Sequence, residues 1–335
     1  MPQPLQSQKA DRVTISAIIP TLNGERTLEQ FFAALRRQHL QPDEILVADS
    51  SSTDRTVEIC RNYMAEVVTI PRSEFDHGGT RTRMARQAKG EIIVFFTQDA
   101  ILATRDALGL LVAPLSENRA ACSYGRQLSS KNATPVAAHL RLFNYPPLSA
   151  LRSYDDRLRY GLKTIFISNS FAAYRKEPLA AAGYFKNGLI FGEDTCTLGR
   201  ILAAGHAVAY VSEAAVYHSH NYNLGEEFRR SFDIGVLHCR EKWLLDTYGQ
   251  AEGVGAHYVR SALGSLLQEK QILLIPDCLL RSFMKLIGYK LGRLHRKIPA
   301  SWLPTLSMNR LWWKRYMNGE WSPPKPDGMP LEPKN

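Results

Sequence analysis

Residues 14–26, TISAIIPTLNGER, carry the pattern that decides the fold class. The β-branched apolar run that ends at Pro20 is typical of a buried strand. The polar loop after it contains Gly24, and residues 27–30 have the spacing of a helix-capping box. The apolar residues that follow recur at helical spacing: Leu28, Phe31, Phe32 and Leu35. The stretch therefore predicts a buried strand, a polar loop and an amphipathic helix, in that order.

The same order of strand, polar loop and helix recurs along the first hundred residues. Further strands are predicted at 44–48, 66–70 and 91–97, with helices around 57–64 and 80–88. Strands that alternate with helices at this spacing indicate an α/β fold with a parallel sheet.

The second half of the chain has a different pattern. Short strand-like pieces occur at 164–168 and 207–211, and a helix is predicted at 194–204. Residues 224–300 are mainly helical in pattern. The sequence thus predicts an α/β domain that is followed by a helical region.

Positive charge is concentrated near the end of the chain. The 335 residues include 42 Lys and Arg against 32 Asp and Glu, a formal net charge of +10. Nine of the basic residues and none of the acidic ones fall within 281–316, so the rest of the chain is nearly neutral. Such a segment indicates an anionic partner, which membrane lipid, nucleic acid or a phosphorylated substrate would each provide.

Composition excludes several classes of protein. A chain with 44% apolar and 22% charged residues is globular rather than disordered or fibrous. No run approaches the roughly 18 apolar residues of a membrane-spanning helix, and the first residues lack the apolar run of a secretory signal.

The five cysteines are widely spaced and include no C-x-x-C. Neither a disulfide framework nor a zinc site is indicated, and a reducing compartment fits.

Polar clusters follow three of the predicted strands, at 20–23, 49–54 and 97–100. Because ligands bind outside the carboxyl ends of parallel strands, these clusters predict one shared crevice. The sequence has no G-x-G-x-x-G after its first strand and no G-x-x-x-x-G-K-[ST]. Dinucleotide-binding and P-loop sites are therefore disfavoured.

Two carboxylates at these strand ends are candidates for ligand binding. Asp49 either hydrogen-bonds the base or ribose of a nucleotide or serves as a turn and cap residue, and Asp54 already suits the cap. Asp99 is either a turn residue or a ligand of a hard divalent cation. His218 follows another short strand and could be the second ligand. His220 would share its face in an extended chain, although one histidine ligand is favoured over two.

Two further segments have both a functional and a local structural explanation. Glu193 and Asp194 begin the predicted helix at 194–204, where acids complement the helix N-terminus or one of them serves as a general base. The segment FDHGGTR at 75–81 could hold phosphate with its backbone N–H groups, with Arg81 or Arg83 adding charge. Ordinary turn chemistry also explains its glycines.

Taken together, four segments resemble family 2 glycosyltransferases of the GT-A fold. They are AIIPTLNGERTLEQFFAALRRQ (17–38), EILVADSSSTDRT (44–56), GEIIVFFTQDA (90–100) and FGEDTCTLGRILAAGHAVAYVSEAAVYHSH (191–220). Finer features resemble the bacterial rhamnosyltransferases of O-antigen and other polysaccharide synthesis. These features are FDHGGTR (75–81), TQDA (97–100), HSHNY (218–222) and SFDIGVLHCREKWLLDTYG (231–249).

The resemblance covers roughly residues 13–250 and implies an organisation for the whole chain. It implies an α/β, GT-A nucleotide-diphospho-sugar transferase fold with a mainly parallel sheet and a helical C-terminal extension. The expected parts are a flexible N-terminus (1–12), the catalytic domain (13–225), a helical region (226–318) and a flexible Pro-rich tail (319–335).

The resemblance also implies roles for individual residues. Asp49 matches the first acid of the nucleotide-binding turn, and Thr21 and Asn23 match the loop that flanks the base. Asp99 matches the metal-binding last acid of a D-x-D motif, and Gln98 departs from the family pattern that has an acid directly before it. With Arg81, these are the expected nucleotide-sugar-binding residues: Thr21, Asn23, Asp49, Arg81, Gln98 and Asp99.

The implied reaction is an inverting sugar transfer. Asp194 matches the catalytic base, and His218 matches a histidine that completes the shell of a Mg²⁺ or Mn²⁺ ion at Asp99. Glu193, Asn169 and His220 are candidates for acceptor contacts or for support of the site, and Asn169 could equally satisfy a turn. The expected donor is dTDP-β-L-rhamnose and the expected acceptor a lipid-linked glycan. A UDP-hexose is the alternative donor, and a basic nucleic-acid-binding protein is the alternative of another class.

A basic amphipathic helix is predicted at about 279–298. Its apolar residues lie on one stripe: Leu280, Phe283, Met284, Ile287, Leu291, Leu294 and Ile298. Its basic residues lie on the other side: Lys285, Arg293, Arg296 and Lys297. Such a helix either lies in an anionic membrane interface or packs on the catalytic domain with a solvated charged face. The membrane alternative predicts a cytoplasmic protein bound peripherally to the inner face of the bacterial cytoplasmic membrane.

Overall fold

The computed structural model describes residues 13–129, 133–218 and 221–320. The strands, in chain order, are β1 (Ile15–Thr21), β2 (Glu44–Asp49), β3 (Glu66–Thr69), β4 (Ile92–Phe96), β5 (Ile101–Leu102), β6 (Cys122–Leu128), β7 (Ala150–Arg152), β8 (Phe171–Arg175) and β9 (Val208–Tyr217). The predicted N-terminus (1–12), most of the predicted tail and His220 lie outside the described residues.

The α-helices are distributed between and after these strands. They are α1 (Glu25–Arg36), α2 (Thr56–Asn62), α3 (His77–Gln87), α4 (Ala107–Ser116), α5 (Pro135–Asn144), α6 (Arg157–Tyr160), α7 (Lys176–Ala181), α8 (Glu193–Ala203), α9 (Leu224–Arg240), α10 (Trp243–Tyr248), α11 (Glu252–Gln268), α12 (Ile275–Arg293), α13 (Leu303–Leu306) and α14 (Arg310–Met317). Within the described ranges, no helix is both long enough and apolar enough to cross a membrane.

The described strands form one sheet in the order β3-β2-β1-β4-β8-β6-β9-β5, with β7 also pairing to β9. The predicted parallel arrangement is confirmed for β1–β4, where every pairing is parallel. The other half is mixed, because β8 runs antiparallel to both β4 and β6 while β6 and β9 are parallel. As a result β1, β2, β4 and β9 all end at one edge of the sheet, and β8 begins there.

Strand β1 is predominantly apolar because both faces of the sheet are covered, which is the usual reason for such a strand. Ile18 points into a core with Ile93 and Phe95 on one side. Ala17 and Ile19 point into a second core on the opposite side. Successive residues of a strand face opposite sides, so each half of this run fills a different core.

Two local predictions were wrong. Residues 164–168 do not form a strand: Gly161–Ile165 is a 3₁₀ helix, and the apolar residues of this segment are buried without pairing to a neighbour. Helix α1 begins at Glu25, with Gly24 as its N-cap and no capping side chain. Thr27 therefore lies inside the first turn, where its hydroxyl donates to the carbonyl of Gly24, and it does not begin a capping box.

The C-terminal helices pack into the same core as the sheet. Phe232 of α9 and Trp313 of α14 are buried in the cluster that contains Ile18. Helix α12 packs against α9 through small residues, since a Cβ added at Gly288 or Gly292 would overlap main-chain carbonyls of α9. Backbones can approach this closely only where side chains are absent.

The outward face of α12 is apolar. Phe283 is 56% exposed, and Leu279, Leu280, Leu286 and Leu294 are exposed with it. Lys285 is turned toward the protein, where it pairs with Glu227 at 3.3 Å, whereas Lys290 is exposed. The helix therefore packs on the catalytic body. Of the predicted apolar stripe, Leu280, Phe283 and Leu294 are exposed, whereas Leu291 and Ile298 pack against the core.

Candidate active site

Asp49 joins the polar loops at the carboxyl ends of β1 and β2. Its buried carboxylate accepts hydrogen bonds from Thr21 Oγ1 at 3.0 Å, from Ser52 N at 2.9 Å and from Ser52 Oγ at 2.5 Å. Beside it, the exposed Asn23 accepts from Thr53 N at 2.9 Å. The structure thus brings the predicted residues Thr21, Asn23 and Asp49 together at one edge, with Asp49 already engaged by protein donors.

Gln98 anchors the loop that follows β1. Its Oε1 accepts from the N–H of Leu22 at 2.9 Å, and its Nε2 donates to the carbonyl of the same residue at 3.0 Å. A carboxylate could make only the first of these bonds. Gly24 provides the space, because a Cβ there would lie 2.7 Å from Gln98 Oε1. The glutamine directly before Asp99 is therefore used to hold the loop.

Asp99 and His218 meet as the sequence predicted. The Nδ1 atom of His218 lies 3.3 Å from Asp99 Oδ2, and the carboxylate is 35% exposed while the histidine is buried. The Nε2 atom of His218 lies 3.3 Å from the hydroxyl of Ser170. This contact follows from the sheet, because β4 and β9 end at the same edge and β8 begins beside them.

Arg81 and Glu193 form a buried ion pair. Arg81 Nη1 lies 3.0 Å from Glu193 Oε1, and the two side chains are 6% and 7% exposed. Burial alone would raise the pKa of Glu193, but the Arg81 guanidinium and then His77 outweigh it and hold that pKa below its ordinary value. Arg81, predicted to contact a diphosphate, is thus turned to a protein carboxylate.

Asp194 has the opposite electrostatic environment from its neighbour. Burial, followed by the nearby Glu193 carboxylate, raises the pKa of Asp194 to about 6. Its Oδ1 accepts from Thr195 N at 2.7 Å, and its Oδ2 accepts from Asn169 N at 3.3 Å. A carboxylate with a raised pKa at the start of a helix can accept a proton near neutral pH.

A short polar turn before β8 connects the Asp194 carboxylate with the Asp99–His218 pair. The backbone of Asn169 donates to Asp194, and the next residue, Ser170, contacts His218. Ser168 in turn donates to the hydroxyl of Ser170 at 3.2 Å. Sequence reasoning named Asn169 but missed both serines, although three polar residues between an apolar run and a strand were a usable signal.

Asn169 is held in place by its own side chain. Its Oδ1 accepts from the hydroxyl of Tyr174 at 2.8 Å, and the residue is buried. The amide also lies next to Glu193, whose charge it helps to stabilise. In the described structure Asn169 therefore supports both acids at the start of α8.

Outside this pair, the part of the chain that is described has no cluster of three or more His, Cys, Asp or Glu side chains that could hold a metal. Asp99 and His218 supply one carboxylate oxygen donor group and one imidazole. That set suits Mg²⁺ or Mn²⁺, which keep several waters and are bound through one or two protein groups together with substrate phosphates. The residues present therefore fit a divalent ion that is shared with a diphosphate.

Comparisons with known proteins agree with this geometry. The profile of the family described as "Glycosyl transferase family 2" matches residues 16–183. The chain is 39% identical to the O-antigen chain rhamnosyltransferase WbaN of Salmonella anatum, over 90% of this chain and 96% of that protein. It is 40% identical to the O-antigen chain rhamnosyltransferase RfbN of Salmonella typhimurium, over 89% of this chain and 96% of that protein.

Two solved structures share the fold. One is the mannosyltransferase PcManGT from Pyrobaculum calidifontis in complex with GDP-Man and Mn²⁺, with a TM-score of 0.58, 18% identity and coverage of 86% of this chain and 89% of that one. The other is S. aureus TarS 1–349, with a TM-score of 0.52, 18% identity and coverage of 92% of each chain.

Proposed function

The chain belongs to glycosyl transferase family 2. From this premise we propose that it transfers L-rhamnose from dTDP-β-L-rhamnose to a lipid-linked glycan, as a step of O-antigen synthesis. The observation that carries the proposal is the identity of about two residues in five to two O-antigen rhamnosyltransferases over nine-tenths of the chain. The buried acids at the start of α8 support the same conclusion, since sugar transfer to a hydroxyl needs a base.

The donor nucleotide lies against the loops after β1 and β2. Thr21, Asn23 and Asp49 line this edge, and Asn23 offers an exposed amide next to the backbone that Asp49 holds. Gln98 holds the backbone of the loop after β1 at Leu22. It therefore positions the loop against which the donor nucleotide binds. Arg81 does not contact this edge through its ion pair but keeps the Glu193 carboxylate ionised.

The donor diphosphate lies beside Asp99 and His218, which would hold Mg²⁺ or Mn²⁺ against it. Such an ion, when bound, stabilises the negative charge that grows on the departing nucleotide diphosphate. The contact of His218 Nε2 with Ser170 fixes the orientation of the ring, so that Nδ1 faces Asp99.

Asp194 is the group that takes the proton of the acceptor. The acceptor oxygen forms a bond to the anomeric carbon of the sugar while the bond from that carbon to the diphosphate oxygen breaks. The proton of the acceptor hydroxyl passes to the Asp194 carboxylate, and dTDP leaves from the opposite face. Attack opposite the leaving group inverts the anomeric centre, so a β-L-rhamnosyl donor gives an α-L-rhamnoside.

The decisive experiment is donor turnover across a panel of sugar nucleotides, measured as nucleoside diphosphate release with and without Mn²⁺. We expect selective use of dTDP-rhamnose by the wild type and loss of turnover in Asp99→Ala. Asp194→Asn should still bind the donor but lose transfer, because only the proton acceptor is removed. Preference for a UDP-hexose would contradict the rhamnosyl assignment, and absence of turnover with every donor would contradict the enzyme itself.

The acceptor's lipid anchor fits the apolar outward face of α12. We assign this face to an anionic membrane surface, because it is formed by exposed leucines and Phe283, and the exposed basic residues Lys290, Arg296 and Lys297 follow in the same segment of the chain. Binding there makes the enzyme peripheral to the inner face of the bacterial cytoplasmic membrane.

Co-sedimentation with vesicles tests the membrane assignment. Phe283→Glu with Leu286→Glu should abolish binding to vesicles that contain phosphatidylglycerol, whereas Met64→Glu, at an exposed apolar residue far along the chain, should not. Equal binding by all three proteins would contradict the assignment. Point variants are preferred to deletion of the C-terminal region, because α14 is part of the core.

A further inference from the structure

A chain of hydrogen bonds leads away from the Asp99–His218 pair into the body of the protein. Its first member is Ser170, whose hydroxyl lies 3.3 Å from His218 Nε2. The next is Ser168, whose hydroxyl donates to that of Ser170 at 3.2 Å and accepts from the Ser170 N–H at 3.4 Å. The position of Ser170 against the histidine ring therefore depends on where Ser168 is held.

Gln127, near the end of β6, holds Ser168 from the neighbouring part of the sheet. Its Nε2 donates to Ser168 Oγ at 3.0 Å, and its side chain belongs to a residue that is only 3% exposed. A buried amide is costly unless it is hydrogen-bonded, so this contact is strongly favoured in the folded protein. Because Ser168 accepts from Gln127, the single proton of its hydroxyl is left for Ser170.

Arg141 of α5 determines which way the Gln127 amide points. Arg141 Nη1 donates to Gln127 Oε1 at 2.5 Å. A guanidinium group has donors only, so the amide oxygen has to face Arg141 and the amide nitrogen is turned to Ser168. A hydrogen bond from a charged donor is also stronger than one between neutral groups. Arg141 thus sets the direction of the hydrogen bonds that run from α5 to the histidine.

The sheet is irregular directly before Gln127. The register between β6 and β9 shifts between Gly125 and Arg126. A Cβ at Gly125 would overlap the carbonyl of Ala214, so the strands approach this closely only because residue 125 is glycine. Irregularities of this kind are over-represented next to active sites, where they change the direction of a side chain. The strand is therefore shaped at the point from which Gln127 reaches the turn before β8.

The turn that these residues hold also serves the proposed base. Asn169 lies between the two serines, and its backbone N–H donates to Asp194 Oδ2 at 3.3 Å. One short segment therefore supports the metal pair on one side and the base on the other.

We propose that Gln127 and Arg141 are positioning residues of this active site, which hold the 168–170 turn and, through it, the ring of His218 in the orientation that a divalent ion at Asp99 requires. Neither residue has to touch a substrate for this role. Partners that orient a metal-ligating histidine typically contribute about 10–100-fold to metal affinity. The inference rests on the proposed function, because it names the residues that support its metal pair.

The test measures the metal rather than turnover. The EPR signal of free Mn²⁺ gives the Mn²⁺ affinity of the protein loaded with dTDP, and ¹⁴N modulation of the electron spin echo reports a histidine nitrogen bound to the ion. The wild type should show this modulation, and His218→Ala should lack it. In Gln127→Met and in Ser168→Ala we expect the Mn²⁺ affinity to fall on the order of tenfold and the modulation to weaken. Ser168 is only half-buried, so Ser168→Ala carries the test if Gln127→Met does not fold.

Two comparisons separate positioning from a general loss of stability. Gln38→Met removes another buried glutamine, which donates to Thr104 O at 2.7 Å and accepts from Leu108 N at 3.0 Å beside the start of α4. This control should lose thermal stability and keep the Mn²⁺ affinity of the wild type. Ser168→Thr and Arg141→Lys each keep a donor in place, and they should retain most of the affinity that Ser168→Ala and Arg141→Met lose.

The proposal is overturned if Gln127→Met and Ser168→Ala bind Mn²⁺ with the affinity and the ¹⁴N modulation of the wild type, or if Gln38→Met causes the same loss. A wild type without ¹⁴N modulation would also overturn it, and would in addition refute His218 as a ligand. If the donor panel selects another nucleotide, its diphosphate replaces dTDP in the same measurement. Failure of the rhamnosyl assignment is thereby distinguished from failure of the positioning role.

Discussion

Replacing Gln98 with glutamate tests whether this side chain anchors the loop after β1 or faces the metal and donor. The glutamine accepts from Leu22 N at 2.9 Å and donates to Leu22 O at 3.0 Å. A carboxylate keeps the first bond, loses the second and places a negative charge against the carbonyl oxygen. Loss of a hydrogen bond that leaves its partner unsatisfied costs about 1–3 kcal/mol of unfolding free energy. For a domain of this kind each kcal/mol lowers the Tm by about 2–4 °C.

The assay is thermal unfolding of the wild type, Gln98→Glu and Gln30→Glu, the last being the same change at an exposed position on α1. Only Gln98→Glu should lose stability near neutral pH. The facing carbonyl raises the pKa of the new acid in the folded state. The loss of unfolding free energy is therefore complete above that pKa. It shrinks as the pH falls toward about 4, the ordinary pKa of glutamate, because the protonated acid can again donate a hydrogen bond.

Donor binding should weaken in parallel, since the anchored loop carries Asn23. A Gln98→Glu protein with the stability of the wild type and tighter Mn²⁺ binding would refute this reasoning. That result would mean that residue 98 belongs to the metal site together with Asp99.

Three further predictions concern the base, its buried neighbour and the C-terminal helices. Because the pKa of Asp194 is raised to about 6, kcat/KM for transfer should fall as the pH is lowered through that value, and a rate independent of pH between about 5 and 8 would contradict its role as the base. Arg81→Met should lower the unfolding free energy by about 3–5 kcal/mol, because it leaves the Glu193 carboxylate buried without its cation. Thermal unfolding should show recovery in Arg81→Met with Glu193→Gln, and a double variant no more stable than the single one would contradict the pairing. Gly292→Ala should lower the Tm, because its Cβ would overlap a main-chain carbonyl of α9, whereas Gly253→Ala, with open space around it, should not; equal Tm values would contradict the packing of α12 on α9.

The first four strands and the positions where they end were predictable because local pattern decides them. A predominantly apolar run such as TISAIIP is buried on both faces, and β1 is so. Asp99 and His218 each follow a strand, and the two side chains are in contact in the structure. The strand ends made His218 a candidate, and the family resemblance implied the pairing, because the sequence pattern does not give the direction of β9 in the sheet.

Contacts between distant residues were not predictable in the same way. Arg81 and Glu193 are separated by more than a hundred residues, and nothing in either segment encodes the other. Periodicity identified the apolar stripe of the helix now seen as α12 but could not say which side faces the protein. The spacing of Gly288 and Gly292 was the missing signal, since glycines one turn apart permit a close helix contact on their own side.

The ties from α14 to the segments before α3 and α8 also determine when this enzyme becomes complete during its synthesis. Trp312 and Arg315 bond residues that lie 124 and 240 positions earlier in the chain. A polypeptide leaves the ribosome N-terminus first, at about 5–20 residues per second, and its domains fold as they emerge. All the strands can therefore be outside the ribosome while the core that they share with α14 still lacks Trp313. The core is completed only after residues 309–315 have left the exit tunnel, so a ribosome stalled before that point carries an unfinished enzyme.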